Sequence, residues 1–334
     1  MIYLKIAIVS GGTGGHIFPA LDLAKRLKEK HNVVFIGSNQ RMEAKIVAST
    51  DIPFKGFDLE NKKLKLFKNI LICKKYLKEE QFDLAIGFGN YISVSFLIAS
   101  YLSKVKFIIH EQNIIPGKAN KLLHRLSDKT IISFEETKKY LKGKKVLCLG
   151  NPREERKNFE TKKNKNKSVL VVMGSLGSST INKLFETMFN NYNFDCDFAI
   201  VTGKNSNLSI KNNNVKVVPF IDNLPMEATK YDLVITRAGA TTLKELASFK
   251  VPMLIIPSPY VANNHQYFNA KYYQDNNAAV MLEEKGLNAE KLYLKIIETL
   301  NNPSLLVNMS INAYKLSYPF ALTNFVKEVE KYVR

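Results

Sequence analysis

Twice in this chain of 334 residues a short apolar run leads into a glycine-rich turn and then a helical pattern. Ile6–Val9 runs into Ser10-Gly11-Gly12-Thr13-Gly14-Gly15-His16, followed by an amphipathic stretch from about Phe18. Val169–Met173 runs into Gly174-Ser175-Leu176-Gly177-Ser178, followed by a helix from about Thr180. Strand, turn and helix in that order commit the chain to crossover connections and hence to a parallel sheet. Glycine allows positive φ and close backbone approach to a ligand. A helix start adds unpaired N–H groups and the positive end of a dipole. On this geometry alone the first turn suits a diphosphate, with His16 beside it.

The rest of the chain repeats the alternation. Strands are expected at Val33–Gly37, Asp83–Gly87, Lys106–Ile109 and Lys129–Ser133, with a helical stripe at Ala20, Leu23, Ala24 and Leu27 and a buried helix over Ser93–Leu102. After a turn at Gly150-Asn151-Pro152, the polar, lysine-rich run 153–167 reads as a linker. Further strands are expected at Phe198–Thr202, Val215–Val218, Leu233–Thr236 and Met253–Ile256, and helices from Ala289. The expected fold class is α/β, with two Rossmann-like doubly wound domains facing a cleft. The expected division is 1–152, a linker at 153–167, a second domain at 168–316, and a C-terminal helix at 317–334 returning to the first domain. Ligands in such sheets sit at the carboxyl ends of the strands.

Composition narrows the class of protein. The net charge is +19, and residues 1–160 hold 29 Lys and Arg against 16 Asp and Glu. Such an excess fits nucleic acid, an anionic membrane or a phosphorylated ligand, or simply a lysine-rich surface. No nucleic-acid motif accompanies it, so no nucleic-acid partner is expected. Seven lysines and no acid lie between Lys62 and Lys78, interleaved with Leu64, Leu66, Phe67, Ile70, Leu71 and Ile72. That segment can lie on an anionic bilayer or pack on the sheet with its lysines in water. Cys73, Cys148 and Cys196 show no metal or disulfide spacing and fit a reduced compartment. No run approaches the ~20 apolar residues of a membrane span. The first apolar run leads into the glycine turn without a cleavage site, unlike a secretory leader.

The polar candidates cluster after strands. Gly11–Gly15 fits neither the dinucleotide fingerprint nor the Walker sequence. His16 can exchange a proton near neutral pH. Gly87-Phe88-Gly89-Asn90-Tyr91 forms another turn at a strand end, and His110-Glu111-Gln112-Asn113 follows the strand 106–109. In the second half, Arg237-Ala238-Gly239-Ala240-Thr241-Thr242-Leu243-Lys244-Glu245 opens a helix after a strand. Glu245 there either complements the dipole or accepts ribose hydroxyls. Asn263-Asn264-His265-Gln266-Tyr267 offers amides at the same end. Asp195-Cys196-Asp197 has the form of a metal-binding DxD but opens a strand, at the end away from the expected cleft, so no metal is expected there.

GGTGGH at 11–16, HEQN at 110–113, GNP at 150–152, GSLGS at 174–178, RAGATTLKE at 237–245 and HQYFNA at 265–270, in that order over nearly the whole chain, resemble the MurG family. These are peptidoglycan N-acetylglucosaminyltransferases of the GT-B fold. The resemblance implies transfer of N-acetylglucosamine from UDP-N-acetylglucosamine to lipid I, by a peripheral enzyme on the cytoplasmic side of the cell membrane, with UDP-N-acetylglucosamine, lipid I and the anionic membrane surface as partners and no cofactor. It implies that Thr13, Gly14 and Gly15 lie beside the donor, that Asn113 reaches the donor sugar region, and that Ser175 and its loop bind the diphosphate. Ile221 contacts uracil through its backbone, Ala240, Thr241, Thr242, Leu243 and Lys244 supply helix-start N–H groups, Glu245 holds the ribose, and Gln266 bonds the sugar. His16, Tyr91 and Glu111 are the catalytic candidates, and Asn120, Asn182 and Arg237 match further sensitive positions.

Two departures stand out. The family usually has a second glycine where Asn90 stands. Its donor-contacting arginine follows GNP after one further residue, a position held here by Glu154. A one-residue deletion realigns Arg153, and Arg156 is the alternative. Two other activities share the architecture: a related transferase with another lipid acceptor, and a UDP-N-acetylglucosamine 2-epimerase. HEQN and the lysine-rich segment weigh against the epimerase.

Overall fold

The computed structural model describes residues 3–58, 65–154, 165–173, 179–203, 208, 210 and 212–333. The chain forms two compact units, Met1–Glu155 with Tyr318–Arg334, and Arg156–Ser317.

The first unit is built on seven parallel strands: β1 (Lys5–Val9), β2 (Asn32–Ser38), β3 (Phe54–Phe57), β4 (Leu84–Gly87), β5 (Lys106–Glu111), β6 (Lys129–Ile132) and β7 (Val146–Cys148). Their spatial order is 3-2-1-4-5-6-7. Helices α1 (Gly14–Lys28), α2 (Met42–Ala48), α3 (Leu66–Glu80), α4 (Asn90–Leu102) and α5 (Lys118–Leu123) supply crossovers. The central strands are covered on both faces and so read as unbroken apolar runs. Ile6, Ile8, Leu84, Ile86 and Ile108 pack one face, and Ala7, Val9, Ala85, Phe107 and Ile109 the other.

The second unit has six parallel strands: β8 (Ser168–Val172), β9 (Asp197–Val201), β10 (Val215–Val218), β11 (Leu233–Thr236), β12 (Met253–Ile255) and β13 (Val280–Met281), in the order 10-9-8-11-12-13. Its helices are α6 (Ser179–Asn191), α7 (Leu224–Ala228), α8 (Ala240–Ser248), α9 (His265–Asp275), α10 (Ala289–Leu300) and α11 (Pro303–Lys315).

The last helix, α12 (Ala321–Glu330), belongs to the first unit, where Phe325 and Val329 join the core of β1 and α1. The Phe325 ring stacks on Phe88 with centroids 6.1 Å apart. Arg153 and Glu154, read from sequence as the start of a linker, pack within this unit, and Glu154 is fully buried. Its carboxylate accepts the N–H of Asn151 and that of Tyr318, both at 2.7 Å. One side chain thus ties the chain leaving the unit to the chain returning. Residues 155–164 of the expected linker, Arg156 among them, and the 174–178 turn with Ser175 lie outside the described residues.

Helix α3 carries most of the lysine-rich segment; Lys62 and Lys63 lie outside the described residues. Asn69, Ile70, Cys73 and Leu77 face the sheet. Phe67 is 72% exposed and Leu71 51%, beside exposed Lys68, Lys74, Lys75 and Lys78. The outer face is therefore apolar and basic together, not merely polar. No described helix is long and apolar enough to cross a membrane.

Candidate active site

In the first unit the strand order reverses between β1 and β4, which opens a crevice at their carboxyl ends. Thr13 caps α1, which begins at Gly14, four residues before the amphipathic pattern does. Gly14 and Gly15 have no side chains to report a period, so by pattern alone they read as turn. His16 is consequently the third residue of the helix. Ser10 Oγ donates to the His16 carbonyl at 2.9 Å and ties the strand end to that first turn.

The His16 ring lies over Gly89. A Cβ there would stand 3.2 Å from Cδ2 and 3.4 Å from Nε2 of His16, with Asn120 Nδ2 next at 3.8 Å. Gly89 also has a φ of +93°, so its backbone calls for glycine, and a Cβ there would press on the His16 ring. Asn90, where the family has glycine, has a φ of 76°. Asparagine tolerates this left-handed region better than most residues. Its Oδ1 accepts the N–H of Tyr91, and its Nδ2 reaches within 2.6 Å of where a Cβ on Gly12 would stand. Tyr91 is half-buried, with the Arg41 guanidinium 5.3 Å from its ring centroid.

Strand β5 extends through His110 and Glu111, two residues beyond the expected end. His110 is fully buried, packed against Phe88 and Phe325 with centroids at 5.1 and 5.8 Å. Its Nε2 donates to the Gly150 carbonyl at 3.1 Å. Burial lowers its pKa to about 4, opposed by that hydrogen bond and assisted by the nearby charge of His16. It is therefore a neutral, structural histidine.

Glu111 is buried, and its carboxylate gathers the loop that follows. Oε1 accepts from Asn113 N at 2.9 Å and Asn113 Nδ2 at 3.3 Å, and Oε2 from Gly117 N at 3.0 Å and Asn120 Nδ2 at 2.9 Å. Burial raises its pKa, and these hydrogen bonds pull it down. Asn120 also donates to the His110 carbonyl at 3.0 Å, and Gln112 Nε2 to that of Phe88 at 3.0 Å. His16, Gly89, Glu111, Asn113 and Asn120 thus meet at one end of one sheet. Gln112, which the resemblance gives no role, belongs to the same network, and its place in HEQN at a strand end is the signal for it.

Arg153 lies on the half-exposed side of the 150–154 turn. It pairs with Asp22 at 2.7 Å and lies 5.8 Å from the Phe18 ring centroid. Glu154, at the family's arginine position, is turned inward as described above.

In the second unit the order reverses between β8 and β11. The turn after β8 holds Ser175 and is not described. After β11, Gly239 caps α8 without a side-chain hydrogen bond. Ala240, Thr241 and Thr242 form the first turn, and Glu245, mostly buried, stands in the second. Leu243 and Lys244 are fully buried, and Lys244 Nζ donates to the Leu316 carbonyl at 3.0 Å. Any contact these two make with a ligand is through the backbone. Arg237 is buried against β12, bonding the Ile256 carbonyl at 3.2 Å and Glu284 at 2.6 Å. Gln266 Oε1 accepts the Ser258 N–H at 2.9 Å, and Asn269 Nδ2 donates to the Ala238 carbonyl at 3.1 Å. Ile221 is half-buried just past β10, and Asn182 is buried on α6. Asn263 and Asn264 both adopt left-handed backbone, at φ 55° and 50°, which turns the chain into α9 ahead of Gln266. Among the described residues no group of three His, Cys, Asp or Glu is placed to hold a metal ion.

Comparison with known proteins matches both units. Residues 6–132 fit the glycosyltransferase family 28 N-terminal domain and residues 168–331 its C-terminal domain. A Natranaerobius thermophilus protein named UDP-N-acetylglucosamine--N-acetylmuramyl-(pentapeptide) pyrophosphoryl-undecaprenol N-acetylglucosamine transferase is 34% identical, over 99% of this chain and 100% of its own length. A Bacillus cytotoxicus protein of the same name is 38% identical, over 98% and 99%. The crystal structure of Acinetobacter baumannii MurG superposes with a TM-score of 0.83 at 26% identity, covering 99% of this chain and 100% of that one. With both domains matched in order and relatives aligned end to end, the chain belongs to glycosyltransferase family 28 and, within it, to the MurG family.

Proposed function

We propose that the chain transfers N-acetylglucosamine from UDP-N-acetylglucosamine to the C4 hydroxyl of lipid I, undecaprenyl-diphospho-N-acetylmuramoyl-pentapeptide, with inversion, giving β-1,4-linked lipid II. The observation that carries this reading is the end-to-end likeness to two transferases named for that reaction. The acceptor oxygen attacks the sugar C1 and loses its proton to a base, while the bond from C1 to the UDP oxygen breaks. His16, half-buried at the crevice of the first unit, is the proposed base. Glu111 is assigned a positioning part, since its oxygens are taken by the loop it holds. Negative charge growing on UDP is met by the start of α8 and the turn at Ser175. Ile221, Glu245 and Gln266 bind uracil, ribose and sugar, and Arg153 is the proposed arginine contact. Metal is not part of this scheme.

The exposed Phe67 and Leu71 with the lysines of α3 support a peripheral position on an anionic, cytoplasmic membrane face. Turnover on a synthetic lipid I analogue with radiolabelled UDP-N-acetylglucosamine, with and without EDTA, tests the scheme. A lipid-linked disaccharide is expected in both conditions. His16→Ala is expected to lower kcat by about 10²- to 10⁴-fold and leave UDP binding intact; near-normal turnover removes the base role. A 2-epimer formed without acceptor would replace the reading by an epimerase.

A further inference from the structure

Glu43 is a fully buried carboxylate that the scheme above leaves unused. It lies on α2, just past the carboxyl end of β2. One oxygen accepts the Ser38 N–H at 3.1 Å and the other the Gly12 N–H at 3.2 Å. Two glycines make its slot: a Cβ on Gly37 would stand 2.7 Å from Glu43 Cγ, and one on Gly11 would overlap Oε1. In dinucleotide-binding sheets an acidic residue in this region takes ribose hydroxyls, while the glycine turn faces pyrophosphate. Here the acid turns back onto the glycine turn and takes its N–H.

Two consequences follow. A donor already engaged, with negative charge beneath it, opposes the seating of an anion on Gly12. The turn is also held to the end of β2 through Glu43 and Ser38, which fixes the approach to the start of α1. His16 is two residues inside that helix, with its ring over Gly89.

We propose that Glu43 is a positioning residue of the transfer reaction: by holding the Gly11–Gly12 turn against β2 it sets the placement of His16 over Gly89. The proposal rests on the assignment of His16 above. Displacement of a reacting group by ~1 Å costs about 10²-fold in rate; Gly11 and Gly12 have no side chains to resist it, and the Ser10 hydroxyl on the His16 carbonyl is another tie.

Glu43→Gln keeps the volume and replaces one accepting oxygen with an amide that opposes an N–H. On the lipid I analogue, kcat should fall about 10- to 100-fold, with the KM for UDP-N-acetylglucosamine unchanged within about twofold. The imidazole NMR resonance of His16 should shift while those of His31 and His265 stay. Gly37→Ala pushes on the same side chain from β2, and on the Phe54 ring at 3.0 Å, without changing the charge of Glu43. It should reproduce the pattern more weakly and combine with Glu43→Gln less than additively. It also serves as the test if Glu43→Gln does not fold. A folded variant with His16 at its wild-type resonance overturns the proposal, as does a loss carried by the donor KM alone. The resonance needs no acceptor. If the wild-type protein fails to use lipid I, the proposed activity falls while the placement of His16 is still decided.

Discussion

At the scale of single residues, the crevice of the first unit is held by groups that do not face it. Glu111 spends both oxygens on the loop from 113 to 120, and His110 stays neutral under the sheet end. Asn90 sets a measurable balance. Its φ of 76° is free to glycine, tolerable to asparagine and costly to alanine. Asn90→Ala should lose about 1–2 kcal/mol of stability. Asn90→Gly should stay within about 0.5 kcal/mol, since the conformational relief offsets the lost bond to Tyr91. Urea midpoints of the three proteins check this, and equal loss in both variants would mean that the backbone strain is not what matters.

At the scale of elements, α3 separates two duties along one helix. Ile70, Cys73 and Leu77 hold it to the sheet, while Phe67 and Leu71 stand in solvent among lysines. Replacing Phe67 and Leu71 with Ser should weaken binding to anionic vesicles at least as much as replacing Lys65 and Lys68 with Gln, and only the lysine effect should fade with added salt. Unchanged sedimentation with vesicles in both variants would confine α3 to packing. The central strands and this helix were legible in sequence because buried parallel strands are unbroken apolar runs and α3 keeps a period of 3.6. β3, β7 and β13 were not: they are sheet-edge or near-edge pieces of two to four residues, and β3 reads Phe-Lys-Gly-Phe. The motifs marked which strand ends carry polar groups. They did not mark Glu43 or the inward turn of Glu154, because a carboxylate that accepts backbone N–H groups leaves no pattern in its neighbours.

At the scale of the whole molecule, acid stability follows from the histidines. Burial lowers the pKa of His110 to about 4, and that of His31 and His124 also downward. The unfolded chain then binds more protons than the folded one between about pH 4 and 6.5, so stability is full above that window and falls as pH drops through it. The His110 share is about 3 kcal/mol. Glu111, whose pKa burial raises, acts in the opposite sense. His110→Phe, which keeps a ring against Phe88 and Phe325, should flatten the decline between pH 7 and 4.5 in denaturant titrations; an unchanged slope would locate the acid sensitivity elsewhere.

The placement of α12 has a consequence for synthesis. Phe325 and Val329 fill the core of β1 and α1, and Tyr318 closes on Glu154. The first unit therefore lacks part of its core until α12 has left the ribosome, whereas the second unit is complete in one uninterrupted stretch. A nascent chain ending before α12 exposes the surface of Phe88 and the α1 face that Phe325 covers. Although the first unit leads in sequence, it finishes folding only after the second has been made.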